Sequence, residues 1–586
     1  MFKVFNTPEF KKAVLFYVEG IKGNKKHFLI SISSAIIWCF LVVLHPYIIK
    51  RIVDDGIVSG NARIIAILLS SLIVIGYSRA LSIGTRRYFG MSVSYNVEAE
   101  IRNNIFSHMQ KLAFKFHDRV PTGELMARAS SDASQVRMAF AIAPLASANI
   151  LLLFILSITL LSISLPLGSV VLLSIPAVLW LAASFSSKAM GISLKVKEAE
   201  ANMTTEVEEQ LGGIRVVKAF GNEDTASNKI DDAIENIYDR SIDYLNLRTK
   251  FIPMFELIPM VITLLVLILG GYLTINENIS LGDFIAFTQY VFLLLWPLRI
   301  TAWFLSEIPA SVSAGNRILE LLNEKPSIID PQQVKTLPKE GTGHIKFSDV
   351  NFKYGNENIF NDLSFTIDGK KTVAIVGSTG SGKSTLGYLV PKLYEIDSGK
   401  IEIDGVDIND LELSDLRKNV SLAFQESFLF SNTAKENISI GLNNASNEQI
   451  ENAASVAKAH EFISELPEAY ETTVGERGYG LSGGQRQRVA LARAIVRNPR
   501  ILILDDALSA VDASTEEEIR KELETTMENM TTLIITNRVP TIELCDEVIF
   551  IENGSVKAQG KHKEIIKKDK SYRDLFLEES TVETAL

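Results

Sequence analysis

Residues Gly377–Thr385 read GSTGSGKST and follow VAIV, Val373–Val376, a short apolar run of strand character. Gly377, Gly380 and Gly382 let backbone amides close around an anionic chain, and Lys383 and Ser384 open a helix whose positive end faces it. Strand, glycine-rich loop and helix in that order predict a phosphate-binding loop formed by Gly377, Ser378, Thr379, Gly380, Ser381, Gly382, Lys383, Ser384 and Thr385. Such a loop places the second half of the chain in an α/β fold.

The chain has 586 residues, too many for one growing hydrophobic core, so at least two domains are expected. Nearly all long apolar runs precede residue 308, and the remainder alternates strands with helices. A formal charge of -10 without a concentrated basic face argues against a nucleic-acid partner. The two cysteines, Cys39 and Cys545, cannot build a disulfide framework and read as packing residues. The amino terminus carries Lys3, Lys11, Lys12, Lys22, Lys25 and Lys26 but no small-residue cleavage site, so 1–27 reads as a retained elbow segment.

From Phe28 to Ile49 only His45 can carry a charge, enough length for a helix to cross about 30 Å of hydrocarbon. A second span runs from Ile64 through Arg79 to Thr85. Met138–Ser187 has no charged residue and is too long for one crossing, and Leu165-Pro166-Leu167-Gly168 supplies a turn between spans three and four. Span five covers Phe251–Asn276 and span six Phe284–Ser306. The predicted organisation is an elbow at 1–27, six helices in a transmembrane domain at 28–307, a linker at 308–344, a nucleotide domain at 345–577 and a tail at 578–586.

Arg86, Arg87, Lys111 and Lys115 after span two, and Lys188, Lys195 and Lys197 after span four, lie on the same side as the amino-terminal lysines. That side reads as the cytoplasm, with both termini there. Lys50 and Arg51 break the pattern locally, although Asp54 and Asp55 follow at once. Arg79 and Glu256 either line a wet cavity or snorkel at the cytoplasmic ends of their spans, and Arg299, after Pro297, is the better candidate for a cavity residue. Phe284, Phe287, Phe292, Trp296, Trp303 and Phe304 offer a hydrophobic ligand an adaptable surface, or pack against lipid and neighbouring helices.

Leu481–Arg488 read LSGGQRQR, and with this run the chain resembles the ATP-binding cassette family, specifically exporter half-transporters. The resemblance implies ATP and Mg²⁺ as cofactors. Tyr354 takes the place of an adenine-stacking aromatic, and Gln425 that of a glutamine touching Mg²⁺ and the attacking water. Ser384 and Asp505, at the end of ILIL (Ile501–Leu504), join Gln425 as the expected metal-site residues. In the family, Ser482, Gly483, Gly484 and Gln485 complete the ATP site of an opposite subunit, and Ser509–Asp512 cross that interface. FHDRVPTGELMAR (Phe116–Arg128) and EEQLGGIRVVKAF (Glu208–Phe220) resemble coupling loops, and TTVGERG (Thr472–Gly478) resembles the exporter segment that contacts them.

Two positions depart from the family. Asp506 stands where a glutamate polarises water, and Asn537 where a histidine contacts the γ-phosphate. The shorter carboxylate is withdrawn by about 1.5 Å, and asparagine cannot carry positive charge or pass a proton. Asp506, Gln425 and Asn537 are therefore the expected catalytic set of a weakened site, while LSGGQ is intact. This asymmetry leads us to expect a heterodimer with a second half-transporter, resembling bacterial multidrug exporters, that moves hydrophobic small molecules out across the cytoplasmic membrane. A lipid or peptide exporter and a homodimeric transporter share every motif, and an ATP-gated, channel-like protein is the reading from another class.

Overall fold

The computed structural model describes residues 8–440, 442, 444–475 and 480–583, with backbone only at 9, 178, 179, 182, 183, 186, 295, 296, 298–303, 305, 306 and 577–583. Contacts divide the chain into two compact units. One holds Met1–Gln110 and Thr122–Glu324, the other Lys111–Pro121 and Lys325–Leu586.

The first unit is helical. It comprises α1 (Pro8–Gly23), α2 (Lys25–Arg51), α3 (Ala62–Met109), α5 (Thr122–Ala127), α6 (Ala133–Ile163), α7 (Leu165–Gly212), α8 (Ile214–Phe220), α9 (Glu223–Ile275) and α10 (Leu281–Asn323); the short α4 (Phe114–Arg119) belongs to the second unit. By length and composition Lys25–Val58, Ala62–Met109, Thr122–Ile163 and Glu223–Ile275 are long and apolar enough to cross a membrane. Leu165–Ala177 and Leu281–Leu294 are the described apolar stretches of α7 and α10. At 1.5 Å per residue, the 48 residues of α3 extend about 72 Å, far beyond a hydrocarbon core. The segments that follow spans two and four and precede span five are thus direct continuations of helices α3, α7 and α9.

Ser164 alone separates α6 from α7, in extended conformation. The run LPLG, expected as the turn, is instead the first turn of α7: proline suits that position because its missing N–H has no helical partner there. Leu152, Leu156 and Leu160 recur every fourth residue along α6 and pack with Cys39 of α2 and Phe287 and Tyr290 of α10. Cys39 Sγ donates to the Ala148 carbonyl at 3.1 Å, so this cysteine is a packing residue.

Lys50 pairs with Asp283 at 2.7 Å and Arg51 with Asp55 at 2.6 Å, which gives the two cations that interrupt the charge pattern local acidic partners. Residues 308–323, read from sequence as linker, continue α10, and Arg317 Nε donates to Asp132 Oδ2 at 2.8 Å. Among the aromatic residues of span six and its approach, Phe287 is fully buried in the helical core, whereas Phe292 is 61% exposed. Glu256 is exposed and Arg79 half-buried. The side chains of Trp296, Arg299 and Trp303 lie outside the described residues.

The second unit contains two sheets. An antiparallel one has the order β2 (Glu357–Ile367), β1 (Ile345–Tyr354), β4 (Ser398–Ile403), β5 (Val406–Asp407). The other runs β10 (Ser555–Gly560), β9 (Glu547–Glu552), β3 (Thr372–Gly377), β8 (Thr531–Ile535), β7 (Ile501–Asp505), β6 (Val420–Ala423), parallel throughout except for β10. β7 and β8 are buried along their whole length, as strands covered on both faces must be. Ile375, Ile503 and Leu533 pack beneath helix α11 (Lys383–Leu389), and Leu502 and Leu504 face helix Gly483–Ile495. Because β3, β7 and β8 run in parallel, their carboxyl ends share one edge, where open α/β sheets bind ligands.

Candidate nucleotide site

The loop predicted to cradle phosphate leaves β3 at that edge. Gly382 has φ +93, and a Cβ there would lie 2.7 Å from Ile359 Cγ2, so only glycine allows the loop to enter α11. Lys383 curls back over the loop and donates to the carbonyls of Gly377 at 2.7 Å and Ser378 at 2.8 Å. Ser381 Oγ is buried with no hydrogen-bond partner among the described residues. An orphaned donor inside an amide-lined, lysine-bearing loop suits an added anionic oxygen.

β7 and β8 deliver the acidic and amide side chains to the same edge. Asp505 Oδ1 accepts from Ser384 Oγ at 2.9 Å, and its Oδ2 accepts from the Tyr388 hydroxyl at 3.2 Å. Burial raises the Asp505 carboxyl above the usual carboxylate range, with the two hydroxyls opposing that shift. Asp506 adopts φ +45 and donates its amide to the Ile535 carbonyl at 3.0 Å. Burial raises its carboxyl too, against the pull of the Arg538 charge and the Ser509 hydroxyl. Asn537 Oδ1 accepts from the Gly377 amide at 3.4 Å, which ties the end of β8 to the start of the loop. Ser384 and Asp505 together offer the oxygen donors that a hard divalent cation takes.

Tyr354 ends β1, half-buried, with its ring edge-on to Phe352 at 4.9 Å. Gln425 is exposed just beyond β6. Ser482 caps helix Gly483–Ile495 through a reciprocal box: Gln485 N donates to Ser482 Oγ at 3.2 Å and Ser482 N donates to Gln485 Oε1 at 2.8 Å. The box fixes the first-turn amides that point away from the helix. Gly484 packs so closely on Ala510 that a Cβ would sit 2.8 Å from its carbonyl oxygen.

The structure therefore gathers the phosphate loop, Asp505, Asp506 and Asn537 in one place. Ser482–Gln485 are tied elsewhere, to the Ser509–Asp512 segment. Gln487, 6% exposed, accepts from Ala510 N at 2.8 Å and donates to Ser509 Oγ at 2.9 Å, and Ser509 donates to the Asp506 carbonyl at 3.0 Å. Tyr388, Gln487 and the Arg538–Glu516 ion pair were not singled out from sequence. Tyr388 was within reach, since it lies four residues after Ser384 on the same helical face. Gln487 and Arg538 leave no such periodic sign. In TTVGERG, residues 476–478 lie outside the described residues.

A family model described as ABC transporter transmembrane region matches residues 28–298, and one described as ABC transporter matches 360–509. The chain is 32% identical over 581 residues to the putative multidrug export ATP-binding/permease protein YgaD of Bacillus subtilis, covering 96% of this chain and 98% of that one. It is 30% identical to the ATP-dependent lipid A-core flippase of Desulfotalea psychrophila, covering 93% and 96%. Among solved structures, a bacterial Atm1-family ABC exporter with ATP bound superimposes with a TM-score of 0.77 at 25% identity, over 96% of this chain and 98% of that one. With a helical membrane domain followed by an α/β nucleotide domain along nearly its full length, the chain belongs to the ABC exporters, in which ATP hydrolysis is coupled to transport.

Proposed function

We propose that this chain is one half of a heterodimeric exporter whose own phosphate loop holds ATP firmly and splits it slowly. The observation that carries this reading is the edge where β7 and β8 end. Asp506 and Asn537 stand there beside the phosphate loop, one a methylene short of glutamate, the other unable to act as imidazole. Loss of a general base costs about 10²- to 10⁴-fold in rate. Paired with itself, the chain would carry this deficit in both sites. With a partner that has glutamate and histidine, one site is competent and uses the Ser482–Gln485 turn of this chain.

Ser384, Asp505 and Gln425 are the residues that would hold Mg²⁺, and the ion when bound neutralises charge on the terminal phosphates. Lys383 and the loop amides bind and orient the phosphates, and Tyr354 receives the adenine. Residues 116–128 and 208–220 act as coupling loops, and the lysine-rich side of the spans faces the cytoplasm. The cargo is a hydrophobic or amphiphilic compound, by analogy with the multidrug export relative. The flippase relative supports a lipid cargo as a second reading.

Expression of the chain with and without a candidate partner tests the proposal. Stable pairing and brisk hydrolysis are expected only in the mixed complex. A stable homodimer of this chain that hydrolyses ATP briskly overturns it. ATP-driven uphill accumulation of a hydrophobic dye in vesicles separates a pump from a gate.

A further inference from the structure

Arg86 of α3 is a half-buried cation whose side chain has no hydrogen bond and no ion pair among the described residues. Its guanidinium lies over the Trp38 ring of α2, 5.5 Å from the centroid. Trp38 is 8% exposed, and its Nε1, like Arg86 Nε, is buried without a hydrogen-bond partner among the described residues. Close contacts pin this seam on both sides. Ser31 Oγ donates to the Arg86 carbonyl at 2.9 Å, and Cys39, next to Trp38, donates to the Ala148 carbonyl of α6 at 3.1 Å. A Cβ at Gly90, one turn beyond Arg86, would lie 3.2 Å from Ser31 Oγ and 3.7 Å from Pro144 Cγ, so α2, α3 and α6 all meet here.

The partner that Arg86 lacks is an anion, and these helices supply none. Neither α2, nor α3 before Glu98, nor α6 contains an aspartate or glutamate. Glu98 itself is about 18 Å away along α3 at 1.5 Å per residue, and it already accepts from Arg102 at 3.0 Å and Arg137 at 3.2 Å. A cation in an apolar span is costly unless paired, and the face of an indole offsets only part of that cost. Both orphaned nitrogens are donors, and they belong to side chains in contact, so one oxyanion can accept from both. A neutral ligand leaves the charge unpaired, and a cationic one is repelled by it. Trp38 also belongs to the apolar cluster of Val42, Leu152 and Leu156, which suits a ligand with an apolar body behind its charged head.

We propose that Arg86 and Trp38 form a binding site for the anionic head of an amphiphile, a carboxylate, sulfate or phosphate on an apolar body, and that such anions are the cargo class of this chain. The inference rests on the reading of the chain as an exporter of amphiphilic compounds. Arg86 supplies the charge and a forked set of donors, Trp38 Nε1–H a second contact, and the neighbouring aliphatic side chains receive the body.

The test uses the assembled transporter in phosphatidylcholine vesicles, with dansyl-labelled undecanoate as fluorescent probe and dodecanoate or dodecanol as competitor. A hydrogen bond to a charged group corresponds to about 10- to 100-fold in affinity, and a neutral one to about 3- to 10-fold. The intact protein should prefer dodecanoate to dodecanol by about 10- to 100-fold. Arg86→Gln should erase that preference while dodecanol binds as before, and Arg86→Lys should recover most of it. Trp38→Phe keeps a ring but no N–H, and should weaken dodecanoate alone by about 3- to 10-fold. This variant carries the comparison if Arg86→Gln does not assemble. A preference that survives these changes, or equal weakening of acid and alcohol, overturns the proposal. With ATP, the probe should accumulate uphill. If it binds through Arg86 and is displaced by phosphatidylglycerol, yet only a neutral dye accumulates, the site holds a bilayer headgroup and the cargo assignment is overturned. If neither compound accumulates while Arg86-dependent binding persists, the exporter reading falls and the anion site stands.

Discussion

The two functional faces of the nucleotide domain are built by different means. At the phosphate-loop edge the critical groups beyond the loop are side chains, Asp505, Asp506 and Asn537, presented by β7 and β8. At the LSGGQ turn they are backbone amides, held by the Ser482–Gln485 box and by the close approach of Gly484 to Ala510. A site made of side chains can lose its reach through one methylene while the fold is untouched. A site made of amides survives unless a Cβ intrudes. On the proposed reading, a weakened catalytic face and an intact donor face can therefore coexist in one chain.

The sharpest way to break this comparison is to restore the side chains. Asp506→Glu with Asn537→His should raise hydrolysis at this chain's own phosphate loop by about 10²- to 10⁴-fold, measured as steady-state turnover in a complex whose partner site is silenced. The next effect addresses the amide-built face. Gly484→Ala puts a methyl group against the Ala510 carbonyl and displaces the turn, so hydrolysis at the partner's loop should fall by about 10²- to 10³-fold, the range for loss of a backbone donor to a transition state. If turnover survives Gly484→Ala, the LSGGQ turn of this chain does not serve the competent site.

Smaller changes sharpen the contrast. Ser482→Ala removes the cap and should destabilise helix Gly483–Ile495 by about 1 kcal/mol, visible as faster amide exchange in its first turn. The least effect concerns Asp505. Its folded carboxyl titrates above the unfolded range, so its charge costs stability at neutral pH, and that cost disappears as pH falls below the ordinary aspartate range. Asp505→Asn should therefore raise the melting temperature of the ATP-free protein at neutral pH, with a gain that shrinks on acidification. A constant gain across pH would assign the effect to packing instead.

Much of this was legible along the chain because its causes are local. Gly382, Lys383 and Ser384 at fixed spacing announce the loop, and uninterrupted apolar runs announce the spans. The run LPLG reads as a turn because Pro166 suits either the end or the start of a helix, and the extended Ser164, whose carbonyl accepts from the Gly168 amide at 2.8 Å, makes it the start of α7. Loss of apolar character at 308 marks the end of a span in the sequence, whereas the helix itself, α10, continues to Asn323.

By itself, then, the sequence determined the order of domains, the phosphate loop and the substitutions at 506 and 537, since each is written in residue type and spacing. Only the tertiary structure decided that Tyr388 donates to Asp505, that Gln487 joins the LSGGQ helix to Ser509 and Ala510, and that Asp118 meets Tyr394 from 276 residues away. These are contacts between side chains of separate elements, and no local periodicity encodes them because they arise only when sheet order and helix packing bring distant segments together.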